Sequence, residues 1–169
     1  MAVKNHTKSA VEADELVLSR TFDAPPEMVF RAWTEPDYLT RWWGPKMFTC
    51  PTAKVDLRVG GKYLICMRGP DGKDYWSTGV YREIVPKKKI VCTDSFADEK
   101  GNVVPSTHYG MSPEMPMEML VTVAFEAAKG KTKFTLHHAG IANMSDIDRK
   151  NMNQGWNEML DKLENLVRG

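Results

Sequence analysis

The stretch from Ser145 to Val167 constrains the fold more than any other part of the chain. Met152, Trp156, Met159, Leu160, Leu163, Leu166 and Val167 recur at i, i+4, i+7, i+8, i+11, i+14 and i+15, an apolar stripe along one side of a helix. Gln154, Asn157, Glu158, Asp161, Lys162 and Asn165 cover the opposite side. Ser145 with Asp148 three residues on reads as a capping box with Asp in place of Glu. Gly155 inside this helix costs about 1 kcal/mol relative to Ala, which a close approach of helix to sheet accounts for. A helix this one-sided has to lay its stripe on another apolar surface.

That surface is written upstream as strands. Glu15 to Phe22 alternates, with Leu16, Leu18 and Arg20 on one side. Asp23-Ala24-Pro25-Pro26 stops it, and Pro26 suits the first turn of a helix that carries Val29, Phe30 and Trp33. Glu35-Pro36 breaks that helix, and a second short one carries Leu39, Trp42 and Trp43 up to Gly44-Pro45. Val55 and Leu57 then alternate before a turn at Gly60-Gly61, and Tyr63, Ile65 and Met67 follow. Tyr75 to Val85 and Ile90 to Phe96 read as two strands joined through Pro86 and the solvated run Lys87-Lys88-Lys89. Met119, Val121, Val123 and Phe125 form another, and a hairpin at Lys129-Gly130-Lys131 leads to Phe134, Leu136 and His138. Gly79 is expected to mark a bulge or bend. The expected class is α+β: a curved antiparallel sheet around a long C-terminal helix, with two short helices. Residues 1–13 are polar and patternless and are expected to be a loose tail, leaving 14–169 as a single domain.

Bulk properties remove several function classes. Lys plus Arg number 23 against 22 Asp plus Glu, and this near-neutrality argues against nucleic acid or an anionic membrane as the partner. No stretch approaches the length of a membrane span, and the N-terminus has no apolar signal core. Three scattered cysteines, Cys50, Cys66 and Cys92, with no CxxC pair, read as reduced thiols in a cytoplasmic protein.

Several motifs together resemble a known family. They are Phe22-Asp23-Ala24-Pro25-Pro26, Trp42-Trp43-Gly44-Pro45, Val55-Asp56-Leu57-Arg58-Val59-Gly60-Gly61-Lys62-Tyr63, Gly79-Val80-Tyr81-Arg82-Glu83-Ile84-Val85-Pro86, Thr93-Asp94-Ser95-Phe96, and Gly155-Trp156 with Leu160 and Leu163. In these the chain resembles the START-like, or SRPBCC, superfamily and, within it, the activators of heat shock protein 90 ATPase. The resemblance implies the helix-grip fold. It implies a function drawn from a wide range: binders of lipids and secondary metabolites, cyclases, and chaperone-associated proteins of the stress response.

A sheet that curls around a helix seldom closes tightly everywhere, so a cavity between them is the default ligand site. Phe30, Trp33, Trp43 and Trp156 are aromatic candidates for its lining, with ordinary core packing as the competing reading. Met67, Met152 and Met159 are soft side chains that suit a loosely specific pocket and equally suit core filling. Leu160 belongs to the same stripe. The aperiodic segment from Ala97 to Pro116 is long enough to be a lid, which would bring His108, Tyr109 and Met111 to the cavity mouth. Tyr81 and His138 are expected to orient a ligand, and Asp94 and Glu83 are further inward-facing polar candidates. His137 and His138 point to opposite faces of a strand, so they do not form a metal pair. No nucleophile elbow, base pair or phosphate loop is visible, so no catalytic residue, metal or cofactor is assigned. The expected function is non-enzymatic binding of a hydrophobic small molecule, a lipid or a polyketide-like or aromatic metabolite. The alternatives are a chaperone-associated interaction module and a cyclase or hydrolase. The expected assembly is a monomer or homodimer.

Overall fold

The computed structural model describes residues 14–168 together with the backbone of Lys8–Val11. Eleven regular elements follow in order: β1 (Lys8–Val11), β2 (Glu15–Phe22), α1 (Pro26–Thr34), α2 (Pro36–Trp42), β3 (Thr49–Val55), β4 (Lys62–Arg68), β5 (Asp74–Val85), β6 (Lys89–Ala97), β7 (Met119–Ala128), β8 (Lys131–Ala139) and α3 (Asp146–Val167). The strands form one antiparallel sheet of eight in the order β1-β2-β8-β7-β6-β5-β4-β3. This curved sheet gripping a long C-terminal helix is the helix-grip fold. No helix among the described residues is long and apolar enough to cross a membrane.

Alternation places the core. Leu16, Leu18 and Phe22 of β2, Val121, Val123 and Phe125 of β7, and Phe134 and Leu136 of β8 are all buried. Arg20 points the same way as Leu16 and Leu18, yet its charge reaches α3, where Nη1 donates to Asp161 Oδ1 at 2.8 Å. The buried stem packs as an apolar side chain while the head ties β2 to the helix. Pro at the first position of α1 and of α2 leaves no intrahelical donor unmet there. Trp33 is the hub of the aromatic packing, stacked between Phe134 and Trp156 with centroids at 5.6 and 6.0 Å. Trp42 Nε1 donates to Ala32 O at 2.8 Å, which fixes α2 against α1.

Five expectations are corrected. Lys8–Val11 is not loose: it pairs with Leu16–Ser19 as an edge strand, because β2 otherwise presents an unpaired edge. The remainder of 1–13 lies outside the described residues. Leu57 is not in a strand. β3 ends at Val55, and the chain turns through Asp56–Gly61, leaving Leu57 39% exposed. Gly79 is not the bulge, since the register shift falls between Tyr81 and Glu83. Gly79 serves a close approach instead: a Cβ there would lie 1.9 Å from Thr93 O and 2.4 Å from the Tyr63 ring. Gly155 is not pressed on the sheet, because a Cβ there would meet only Pro45 Cγ at 3.7 Å, an ordinary contact. The capping box is half made. Asp148 N donates to Ser145 Oγ at 3.1 Å, while Asp148 Oδ2 is buried without a hydrogen-bond partner, the shorter Asp side chain not completing the reciprocal bond.

Candidate functional site

The stripe on α3 packs against α1, α2 and β2. Its N-terminal half stands off the strands farther along the sheet, and a cavity of about 440 Å³ lies between them. Six methionines line it: Met67 of β4, Met119 of β7, Met152 and Met159 of α3, and Met111 and Met115 of the segment between β6 and β7. Trp43, Phe96 and Trp156 add aromatic wall. A smaller void of about 40 Å³ lies deeper, among Trp33, Tyr63, Tyr81 and Val121, and it shares Trp43, Asp94 and Trp156 with the larger cavity. Trp43 and Trp156 meet edge to face at 5.8 Å, so an indole pair forms part of the wall common to the two spaces.

One end of this apolar space is polar, and the polarity is ordered. Trp156 Nε1–H donates to His138 Nδ1 at 2.9 Å. An indole nitrogen can only donate, so Nδ1 is the acceptor and the imidazole proton sits on Nε2. Nε2 is buried and lacks a hydrogen-bond partner, with Asp94 Oδ2 at 3.5 Å. The other oxygen of Asp94 accepts from Tyr63 Oη at 3.2 Å, and the same hydroxyl lies 3.0 Å from Thr93 O. Burial pushes the Tyr63 phenol well above its ordinary pKa, reinforced by Asp94, so it remains a donor. Burial likewise pushes His138 below the ordinary imidazole value, against a smaller opposing pull from Asp94. The folded protein therefore holds a neutral His138. No Lys or Arg is among the lining residues, whereas Asp94 and Asp148 both are.

The lone-pair nitrogen of His138 already accepts from Trp156, so the ring offers a donor and no base. The thiols are held protonated: burial raises Cys50 and Cys66 to about 11 and Cys92 to about 12. Among the described residues, no group of three or more His, Cys, Asp or Glu is placed to hold a metal ion.

Of the residues singled out from the sequence, Trp43, Met67, Met111, His138, Met152, Trp156 and Met159 line the large cavity. Trp33 and Tyr81 line the inner void. Glu83, expected to face inward, is exposed and pairs with Lys89 at 3.0 Å, and the other four ligand candidates lie elsewhere. Phe30 packs edge-on against Phe125 at 5.7 Å, and Leu160 is fully buried in the core. His108 is exposed and meets Tyr109 edge to face at 4.9 Å. Tyr109 is a strut, its hydroxyl donating to Ala97 O and accepting from Trp76 N–H at 3.0 Å. Residues the sequence did not mark as cavity lining include Ser77, Phe96, Met115, Met119, Asp148 and Asn151. Alternation with Met67 and His138 held a signal for Ser77, Phe96 and Met119. Met115 sits in an aperiodic segment that carries none.

The rim beside α2 is clamped to the helix. Lys162 Nζ donates to Pro45 O at 2.9 Å and to Phe48 O at 2.8 Å, and Glu158 Oε1 accepts from Lys46 N–H at 3.2 Å. Burial lowers the Lys162 pKa, the cost of seating an ammonium where two carbonyls need it.

Comparison with known proteins agrees with this fold. A protein of Chromobacterium violaceum of known structure is 28% identical, with 94% of this chain and 99% of that chain covered and a TM-score of 0.75. One from Arthrobacter aurescens is 26% identical over 96% of this chain and 90% of that chain, with a TM-score of 0.78. The AHSA1 protein of Silicibacter pomeroyi, at 22% identity, 90% and 96% coverage and a TM-score of 0.70, shares the fold. No curated protein matches the sequence. Residues 23–168 match the family described as Activator of Hsp90 ATPase homolog 1-like protein, a span that runs from the approach to α1 through the end of α3 and takes in every wall of the cavity, and the chain belongs to that family.

Proposed function

We propose that this protein binds an apolar small molecule in the cavity between α3 and the sheet and performs no covalent chemistry on it. One observation carries the reading: a space of about 440 Å³ walled by six methionines and three aromatic side chains, with His138 and Asp94 set 3.5 Å apart among its polar groups. That volume is within the range of small-molecule sites, which run from about 300 to 1,000 Å³. Burial of ligand surface at about 25 cal/mol per Å² supplies the driving force. Methionine walls adapt their shape at low cost, which favours a family of related ligands over one tightly fitted molecule. The odd number of unpaired cysteines supports a cytoplasmic setting.

The test uses aminoanthracene, an uncharged fluorescent probe, together with native mass spectrometry of whatever co-purifies. Wild type is expected to bind the probe with a shift in Trp emission, since Trp43 and Trp156 form the wall. Met152→Trp fills the space from α3 and is expected to weaken binding about tenfold or more, with the melting temperature held within a few degrees. Probe affinity unchanged by that substitution would remove the cavity as the site. In a chaperone ATPase assay, stimulation that Met152→Trp leaves intact would assign the activator role of the family to another surface.

A further inference from the structure

Resting on that reading, we infer that the cavity selects an uncharged ligand bearing a hydroxyl group, and that this hydroxyl is held between His138 Nε2 and Asp94 Oδ2. A buried unmet donor stands there beside a carboxylate oxygen that has no protein donor. His138 is 3% exposed, its Nδ1 is occupied by Trp156, and its Nε2–H has no partner. Asp94 Oδ2 lies 3.5 Å from that nitrogen, while the tie to Tyr63 uses the other oxygen. The nitrogen therefore needs an acceptor, and the neighbouring oxygen, on a side chain 23% exposed, can take a ligand donor in place of water. A hydroxyl oxygen accepts one hydrogen bond while donating another, so a single atom placed at hydrogen-bond distance from both groups meets both needs.

The alternatives fail on the same geometry. A ligand carboxylate accepts from His138 but brings negative charge against Asp94, with Asp148 also in the wall and no Lys or Arg lining the space to offset it. An ether or ketone satisfies His138 and gives Asp94 nothing. An ammonium satisfies Asp94 and leaves the His138 donor facing a group that cannot accept. Each of these last two complexes leaves one polar group unmet, the Asp94 acceptor in the first and the His138 donor in the second, so the polar end discriminates among ligands that the apolar walls treat alike. Fatty acids, whose chains suit the methionine walls, are excluded by their headgroup.

The experiment compares octanol, octyl methyl ether and octanoate at pH 7.5, each displacing aminoanthracene from the full chain. The three share one alkyl chain and differ at the polar end. Octanol is expected to bind about tenfold more tightly than the ether and more tightly still than octanoate. Asp94→Asn removes the charge with little change of shape and is expected to narrow the gap between octanol and octanoate by about tenfold. Octanoate binding as well as octanol, or the ether matching the alcohol, overturns this inference and leaves the apolar cavity reading standing. Failure of all three to displace the probe overturns both. A gap between octanol and octanoate that Asp94→Asn leaves unchanged overturns the role given to Asp94 and with it the inference.

Discussion

His138 has one nitrogen committed to an indole and the other enclosed beside a carboxyl group, and burial keeps the ring neutral. This has a consequence for stability with a definite sign. The unfolded chain takes up a proton on this imidazole near its ordinary value of 6.5, while the folded chain resists it. The contribution of His138 is therefore complete above about pH 6.5 and is lost as pH falls toward its depressed folded value, with a limiting slope of about 1.4 kcal/mol per pH unit. Urea unfolding from pH 7.5 downward is expected to show this loss. His138→Gln, which keeps an oxygen for Trp156 Nε1–H and does not titrate, is expected to lack this loss, so that the difference between the two curves isolates it. At this scale the sequence was legible where a side chain follows a period. Met67, His138, Met152, Trp156 and Met159 fall on inward positions by alternation or helical spacing, and the structure sets them around one space. The bond from Trp156 to His138 was not legible, because it joins residues 18 apart across a turn that no local pattern fixes.

Among the elements, α3 is where the sequence spoke most plainly and still misled in one detail. Its length and its cap at Ser145 follow from pattern and from capping chemistry. The reason for Gly155 did not follow, since the contact it faces, Pro45, comes from a loop over a hundred positions earlier. With only a 3.7 Å contact awaiting a new methyl group, Gly155→Ala is expected to stabilise the protein by up to about 1 kcal/mol, read as a raised urea midpoint at constant m-value. A loss of stability would mean that the cavity wall at Pro45 does not tolerate even one carbon. Gly79 is the opposite case, where a Cβ would run into Thr93 O and the strand pairing itself excludes any other residue.

The succession of strands from β2 onward, the two Pro-started helices and the terminal helix were present in periodicity and turn chemistry, while the edge strand β1 was not. What escaped was the segment between β6 and β7, which has no repeat and is arranged by tertiary contacts. It holds a short helical turn, Ser106–Tyr109, and closes over the cavity with Met111 and Met115. The Tyr109 hydroxyl pins it to the end of the β5–β6 ladder. Tyr109→Phe is expected to speed amide hydrogen exchange through residues 98–118 while leaving α3 protected, measured by mass spectrometry. Equal protection in the two proteins would show that the pin is dispensable.

The two sides of the cavity mouth are fastened differently. On one, Lys162 grips two carbonyls of the chain after α2 from the body of the long helix. On the other, the hydrogen bonds of Met111 and Met115 run to Ser106 and Ser112, inside their own segment. For the ligand proposed above, this predicts entry and exit past Met111 and Met115 and not past the chain that Lys162 holds. Met111 and Met115 would then set both how fast such a guest leaves and part of how tightly it is held, being two of the six methionines of the wall.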